Sequence, residues 1–296
     1  GGSGVGLFRS EYIFLSKQCF PSEEEQYLIY SRIVERMKGL PIVIRTFDVG
    51  GDKLIVEQQA SHKGNPYLGC RAIRFLLKER DIFKAQLRAI LRAAENGKVS
   101  ILFPMVSDLS ELMEAKEIIA EVQDELWPGK RKIDPKVRIG CMIEVPSAAL
   151  IADLLARECD FLAIGTNDLV QYLLAVDRCN QAINKLYTPM HPALIRLIKL
   201  VVTQASELNV PVSVCGEIAG DPRFTPLLIG LGVHELSVSL RNYPLIKQAI
   251  RRTSIIRAHE LADEVVGLTT PDEIREALTR EYKRIMPEDC HDLTLN

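Results

Sequence analysis

The seven cysteines (Cys19, Cys70, Cys141, Cys159, Cys179, Cys215 and Cys290) never fall in a Cys-x-x-Cys pair. Odd in number and scattered, they argue against a disulfide framework or a cysteine zinc site and point to reduced thiols in a cytosol. No apolar run reaches the length of a membrane span, and the opening residues lack a signal-peptide pattern. A cytoplasmic protein with no membrane partner is the expectation. Charge of one sign is also missing: 37 Lys and Arg against 39 Asp and Glu leave a net −2, which gives no support for a nucleic-acid surface. Basic residues can still be concentrated in a pocket.

What the chain has is an ordinary globular composition, 47% hydrophobic and 26% charged over 296 residues, enough for one β/α barrel of roughly 250 residues. Apolar runs at 41–48, 99–106, 137–146, 160–165, 210–217 and 235–239 read as strands, and a first short strand ends near Arg9. Between them, helical patterns are read over 22–37, 68–96, 109–126, 147–158, 193–208 and 224–231. The alternation predicts an α/β fold of parallel strands covered by helices, a (β/α)8 TIM-type barrel. No shift in composition marks a boundary, so one domain over 1–296 is expected. About seven units are visible where eight close a barrel, and the first strand is expected upstream of residue 1.

In such folds ligands collect at the carboxyl ends of the strands. Asp160-Phe-Leu-Ala-Ile-Gly-Thr-Asn-Asp-Leu169 passes from an apolar run into Asn167 and Asp168, and 137–146 finishes on Glu144. Two strand-end carboxylates can share one hard divalent cation, although each can also simply cap the helix that follows. Arg9, Arg45, Arg71 and Arg178 all fall at or just after strand ends, and converging guanidiniums suit a phosphate- or carboxylate-bearing substrate. Glu11, Asp48 and Glu217 are placed to support them. Arg74, Arg80, Arg88 and Arg92, on a helix away from any strand end, read as solvated surface charges. A cysteine at the end of a buried strand, as Cys215 is, most often fills apolar space.

Six motifs then occur in one order: Gly4-x-Gly-Leu-x-Arg-Ser-Glu11; Arg45-Thr-Phe-Asp48 with Gly51-Asp-Lys53; Asn65-Pro-Tyr-Leu-Gly69 with Arg71; Ile143-Glu-Val-Pro146; Gly165-Thr-Asn-Asp-Leu169 with Ala175-Val-Asp-Arg178; and Cys215-Gly-Glu-Ile-Ala-Gly220. Together they resemble the C-terminal phosphoenolpyruvate-binding domain of enzyme I of the bacterial sugar phosphotransferase system, over almost the whole chain. The resemblance implies a cytoplasmic, homodimeric barrel that binds phosphoenolpyruvate and Mg²⁺. It implies phosphoryl transfer to a histidine on a separate N-terminal domain, then to the histidine-containing phosphocarrier protein, with release of pyruvate.

By motif match, Glu144 and Asp168 are the implied Mg²⁺ ligands. Arg9, Arg45 and Arg178, with the Asn167–Asp168 segment, hold phosphate and carboxylate, and Arg71 completes the pocket. Cys215 matches the cysteine that protonates the enolate carbon. None of the five histidines stands in the motif of the phosphorylated residue, and His191 reads as structural. Cys179 follows Arg178 where glycine is usual, which makes Arg178 the least secure phosphate ligand. Pyruvate phosphate dikinase and phosphoenolpyruvate synthase have related barrels, but the 45–53 and 215–220 stretches look more like enzyme I. A barrel that senses phosphoenolpyruvate without turning it over is the remaining alternative, and intact metal and acid positions argue against it.

Overall fold

The computed structural model describes residues 2–15, 20–50, 67–129 and 137–287. Parts of two motifs, Gly51-Asp-Lys53 and Asn65-Pro66, lie outside these residues, as do His62, His291, Cys19 and Cys290.

Seven strands follow in chain order: β1 (Val5–Arg9), β2 (Ile42–Arg45), β3 (Val99–Phe103), β4 (Arg138–Ile143), β5 (Phe161–Gly165), β6 (Val212–Cys215) and β7 (Glu235–Leu236). The helices before β5 are α1 (Glu11–Leu15), α2 (Glu23–Met37), α3 (Ile73–Lys78), α4 (Arg80–Ala94), α5 (Leu109–Leu126), α6 (Pro146–Leu150) and α7 (Ala152–Glu158). Those after it are α8 (Thr166–Leu174), α9 (Pro192–Glu207), α10 (Thr225–Gly230), α11 (Tyr243–Arg252), α12 (Ile255–Gly267) and α13 (Pro271–Ile285). The chain forms two compact units, Gly1–Ile143 with Arg157–Phe161, and Glu144–Ala156 with Leu162–Asn296.

In the first unit β1, β2, β3 and β4 pair in succession, all parallel, with Ile42 opposite Val99 and Ile101 opposite Ile139. In the second, β5, β6 and β7 do the same, with Gly165 opposite Cys215. Every residue of β3 and β5 is buried, as expected for parallel strands covered on both faces. Parallel strands in sequence order, joined by helices, are the architecture of the TIM-type barrel class, with seven strands among the described residues.

The sequence explains several helix starts. Ser22 accepts from the Glu25 N–H while the Glu25 carboxylate accepts from the Ser22 N–H, and Asp108 with Glu111 repeats the box at α5. Two expected helices differ. The span 68–96 becomes α3 and α4: Arg71 pairs with Gly50 in an antiparallel bridge and Ala72 has φ 53°, so the helix starts only at Ile73 and breaks again at Glu79. Arg71 therefore sits in an extended stretch ahead of the helix. The span 147–158 breaks at Ile151, and Pro146 opens α6 at its first position, where its missing N–H costs nothing.

In the second unit α10 meets α12 at Gly230. A Cβ there would fall on the carbonyl oxygen of Ala258, which is backbone and cannot rotate aside. Gly230→Ala is accordingly expected to lower stability by about 1–3 kcal/mol, the usual cost of overpacking. Urea denaturation checks it: a lower midpoint is expected, and an unchanged one contradicts the packing.

Candidate active site

In the first unit, the carboxyl ends of β1 and β2 carry a row of alternating charge. Arg9 Nε donates to Glu11 Oε1 at 2.8 Å, and its guanidinium lies 5.4 Å from the Tyr12 ring centroid. Arg45 donates to the same Glu11 oxygen and lies 3.3 Å from Asp48 Oδ2. Arg71 completes the row, donating through Nη2 to both Asp48 oxygens at 2.7 and 2.9 Å. Burial pushes the Asp48 carboxyl up, but Arg45 and Arg71 outweigh it and hold the group below the usual range. Asp48 is thus ionised at neutral pH, and three guanidiniums stand against two carboxylates.

The row has a buried support. Ser10 Oγ donates to the Arg45 carbonyl at 2.6 Å. Gln86 of α4, fully buried, donates to Ser10 Oγ at 3.1 Å and to Tyr30 Oη at 3.2 Å, while its Oε1 accepts from the Phe47 N–H at 3.0 Å. One amide therefore ties the ends of β1 and β2. Arg45 is 5% exposed and the Arg9 side chain 50% exposed, so Arg45 is fixed and Arg9 faces solvent.

In the second unit, Glu144 is 1% exposed, and α8 begins so early that Asn167 and Asp168 lie in its first turn, with Asp168 9% exposed. A carboxylate is favoured there by the helix dipole. Thr166 Oγ1 donates to the Cys215 carbonyl at 2.8 Å, and the Cys215 thiol donates to the Ile164 carbonyl at 3.4 Å. Cys215 is buried at the end of β6. Gly216 has φ 94°, and a Cβ on it would stand 2.5 Å from Thr166 Oγ1 and 2.7 Å from Asn167 Oδ1. Only glycine fits this turn. Asn167 Oδ1 accepts from the Glu217 N–H at 2.9 Å. The Arg178 N–H donates to Gln171 Oε1 at 3.3 Å. Tyr187 Oη donates to the Asn167 carbonyl at 3.2 Å.

The structure thus gathers Arg9, Arg45 and Arg71 in one unit, and Asn167, Asp168 and Cys215 around the ends of β5 and β6 in the other, while Arg178 lies beyond α8 and is tied through its N–H to Gln171. Arg74, Arg80, Arg88 and Arg92 pair with Glu111, Glu121, Glu23, Glu24 and Glu125 on helix surfaces, as expected of solvated charges. His191 caps α9 through Nδ1, which accepts from the Ala193 N–H, a structural role as expected. The strand-end reading did not reach Gln86 or Tyr187. For Gln86 a signal existed: spaced three from Phe83 and four from Ile90, it is a polar residue on the apolar face of α4.

Glu144 and Asp168 offer buried, hard carboxylate oxygens, and that donor set fits Mg²⁺, which takes one or two protein carboxylates and completes its shell with substrate oxygens and water. Among the described residues no cluster of three or more His, Cys, Asp or Glu is gathered, and Mg²⁺ needs none.

The fold defines a class first, that of an α/β barrel of the TIM type with arginines and carboxylates at its strand ends. Residues 1–255 match the family model described as the PEP-binding domain of PEP-utilising enzymes, and the chain belongs to that family. It is 45% identical over 274 residues to the phosphoenolpyruvate-protein phosphotransferase of Haemophilus influenzae, covering 93% of this chain and 48% of that protein. With the phosphoenolpyruvate-protein phosphotransferase of Bacillus subtilis it shares 40% identity over 283 residues, 96% of this chain and 50% of the relative. The chain spans about half the length of the curated relatives it matches. Among solved structures, a citrate lyase of Burkholderia xenovorans is similar at TM-score 0.50 and 15% identity, covering 88% of this chain and 78% of that one, a likeness of fold alone.

Proposed function

We propose that residues 1–296 act as the phosphoenolpyruvate-binding domain of a phosphoenolpyruvate-protein phosphotransferase of the sugar phosphotransferase system. The observation that carries the reading is the row Arg9–Glu11–Arg45–Asp48–Arg71, in which buried carboxylates hold guanidiniums in place for a multiply charged anion. The names and 40–45% identity of the relatives support it.

In this reading Arg9, Arg45 and Arg178 bind the phosphate and carboxylate of phosphoenolpyruvate, together with the Asn167–Asp168 turn, and Arg71 adds charge. Glu144 and Asp168 would hold Mg²⁺. When bound, the metal supplies charge neutralisation at substrate oxygens. The arginines do the rest of the work of phosphoryl transfer, which depends mainly on positioning and charge stabilisation. The P–O bond of the substrate breaks, the phosphoryl group passes to a histidine nitrogen of an N-terminal domain, and the electron pair stays on the enolate. Cys215 then gives its proton to the enolate methylene carbon, forming pyruvate. The histidine-containing phosphocarrier protein is the next acceptor, and the cytoplasm is the compartment.

Incubating the chain with phosphoenolpyruvate, Mg²⁺ and a phosphohistidine domain from a relative tests this. Acid-labile phosphate on the domain, matched by pyruvate, is expected. Pyruvate formed with no phosphate on the domain would contradict the transfer. We also propose a homodimer, supported by exposed Leu240, Ile255 and Ile256 in the second unit. Sedimentation should give twice the chain mass, and a monomer at high micromolar protein would count against it.

A further inference from the structure

Gln86 stands on the apolar face of α4, between Phe83 and Ile90, and is fully buried. An aliphatic side chain would fill that place at no polar cost, whereas an amide is costly there unless it is hydrogen bonded. It is bonded, and in one orientation only. Oε1 must be the atom that accepts from the Phe47 N–H at 3.0 Å, so Nε2 is the atom that donates to Ser10 Oγ at 3.1 Å and to Tyr30 Oη at 3.2 Å. Both hydroxyls can accept because each gives its own proton elsewhere, Ser10 to the Arg45 carbonyl at 2.6 Å and Tyr30 to Gln26 Oε1 at 3.3 Å. Gln26 is anchored in turn, its Nε2 donating to the Pro21 carbonyl at 3.0 Å. Burial pushes the Tyr30 phenol well above its ordinary value, so that its proton stays in place at working pH.

This relay ends on the backbone that carries Arg45. Ser10 holds the Arg45 carbonyl, the Leu102 carbonyl of β3 accepts from the Thr46 N–H at 3.0 Å, and Gln86 holds the Phe47 N–H. Three consecutive residues at the end of β2 are fixed in this way, and the same amide reaches the end of β1 through Ser10, the neighbour of Arg9. Arg9 and Arg45 share Glu11 Oε1 as acceptor, so the spacing of the two strand ends sets the spacing of the two guanidiniums. A guanidinium binds an anion bidentately only when its fork is aligned, and a site weakens when the residues that support it are loosened.

We propose that Gln86 is a positioning residue for the phosphoenolpyruvate site, presetting the Arg45 guanidinium through its bonds to Ser10 and to the Phe47 N–H. This rests on the reading of Arg45 as a ligand of the substrate's anionic groups. Because Gln86 acts by aligning a fork, its effect should depend on there being a fork to align.

Gln86→Leu keeps the size of the side chain and removes the amide. Ser10→Ala removes only the hydroxyl between that amide and the Arg45 carbonyl, and it carries the test by the same criteria if Gln86→Leu does not fold. Each variant is first shown to be folded at the titration temperature by circular dichroism. Calorimetry with phosphonopyruvate at saturating Mg²⁺ should then show binding weakened by about tenfold, the worth of about one buried hydrogen bond. The same substitutions in an Arg45→Lys chain separate positioning from a general loss of packing. Lysine keeps a cation between Glu11 and Asp48 but presents a compact charge with rotatable donors and no fork, so the further loss should shrink to less than about threefold. Parent-like affinity in the folded variants would overturn the role of Gln86, and so would a loss as large in the Arg45→Lys chain as in the parent. A parent chain that does not bind phosphonopyruvate brings down the reading of the site and this inference with it, and that result is visible before any variant is made.

Discussion

Glu144→Ala and Asp168→Ala are each expected to weaken Mg²⁺-dependent binding of phosphonopyruvate by about 100-fold or more. Replacing a residue that merely supports a metal ligand typically costs 10–100-fold, and a ligand itself should cost at least the upper end. The reason lies in the burial of both groups, at 1% and 9% exposure, which leaves little water to take over a lost carboxylate oxygen. Asp168 adds a second term, because the first turn of α8 favours an anion at that place. Titration of each variant at fixed excess Mg²⁺ reads the effect directly. Parent-like affinity in both variants would remove the metal from these two residues.

Cys215→Ser should divide binding from chemistry. Thr166 holds the Cys215 carbonyl and the thiol donates to Ile164, bonds that a serine can keep, so fold and ligand affinity should change little. Turnover should fall by about 100-fold or more, the range that a general acid contributes. A serine hydroxyl is a far weaker acid than a thiol with an ordinary pKa of about 8.5. Because protonation follows transfer, phosphoryl exchange with the histidine domain should outlast pyruvate release. The stereochemistry of deuterium taken up into the pyruvate methyl group reports the donor. Full activity with unchanged stereochemistry would make Cys215 the apolar filler that its place at a buried strand end most often implies.

Much of this was legible from residue patterns because the physics is local. Uninterrupted apolar runs ending on Arg45, Glu144 or Gly165 mark strands buried on both faces, and the polar residue after each run is aimed at the strand end. Ser22 with Glu25, and Asp108 with Glu111, announce their helices three residues ahead. That Glu11 and Asp48 support the arginines was read from their place near the strand ends, whereas which arginine each one holds, Arg9 and Arg45 for Glu11 and Arg45 and Arg71 for Asp48, came from the structure.

What was not legible depends on tertiary contacts. The helical pattern of 68–96 is sound in its periodicity, yet the bridge from Arg71 to Gly50 takes the first residues out of the helix and leaves Ala72 at φ 53°. The turn at Gly216, which sends the Glu217 N–H to Asn167, was not read from the sequence. Tyr187 had no signal at all. Its partner Asn167 lies twenty residues away across an irregular segment, and no period or spacing links the two.

As proposed, this chain binds phosphoenolpyruvate through its arginines and a metal that Glu144 and Asp168 would hold. Calorimetric titration of the 296-residue chain with phosphonopyruvate, once in Mg²⁺ and once in excess EDTA, tests it most directly. Saturable binding of one ligand per chain in Mg²⁺, lost in EDTA, is the expected result. Equal binding in both buffers, or none in either, would contradict the account.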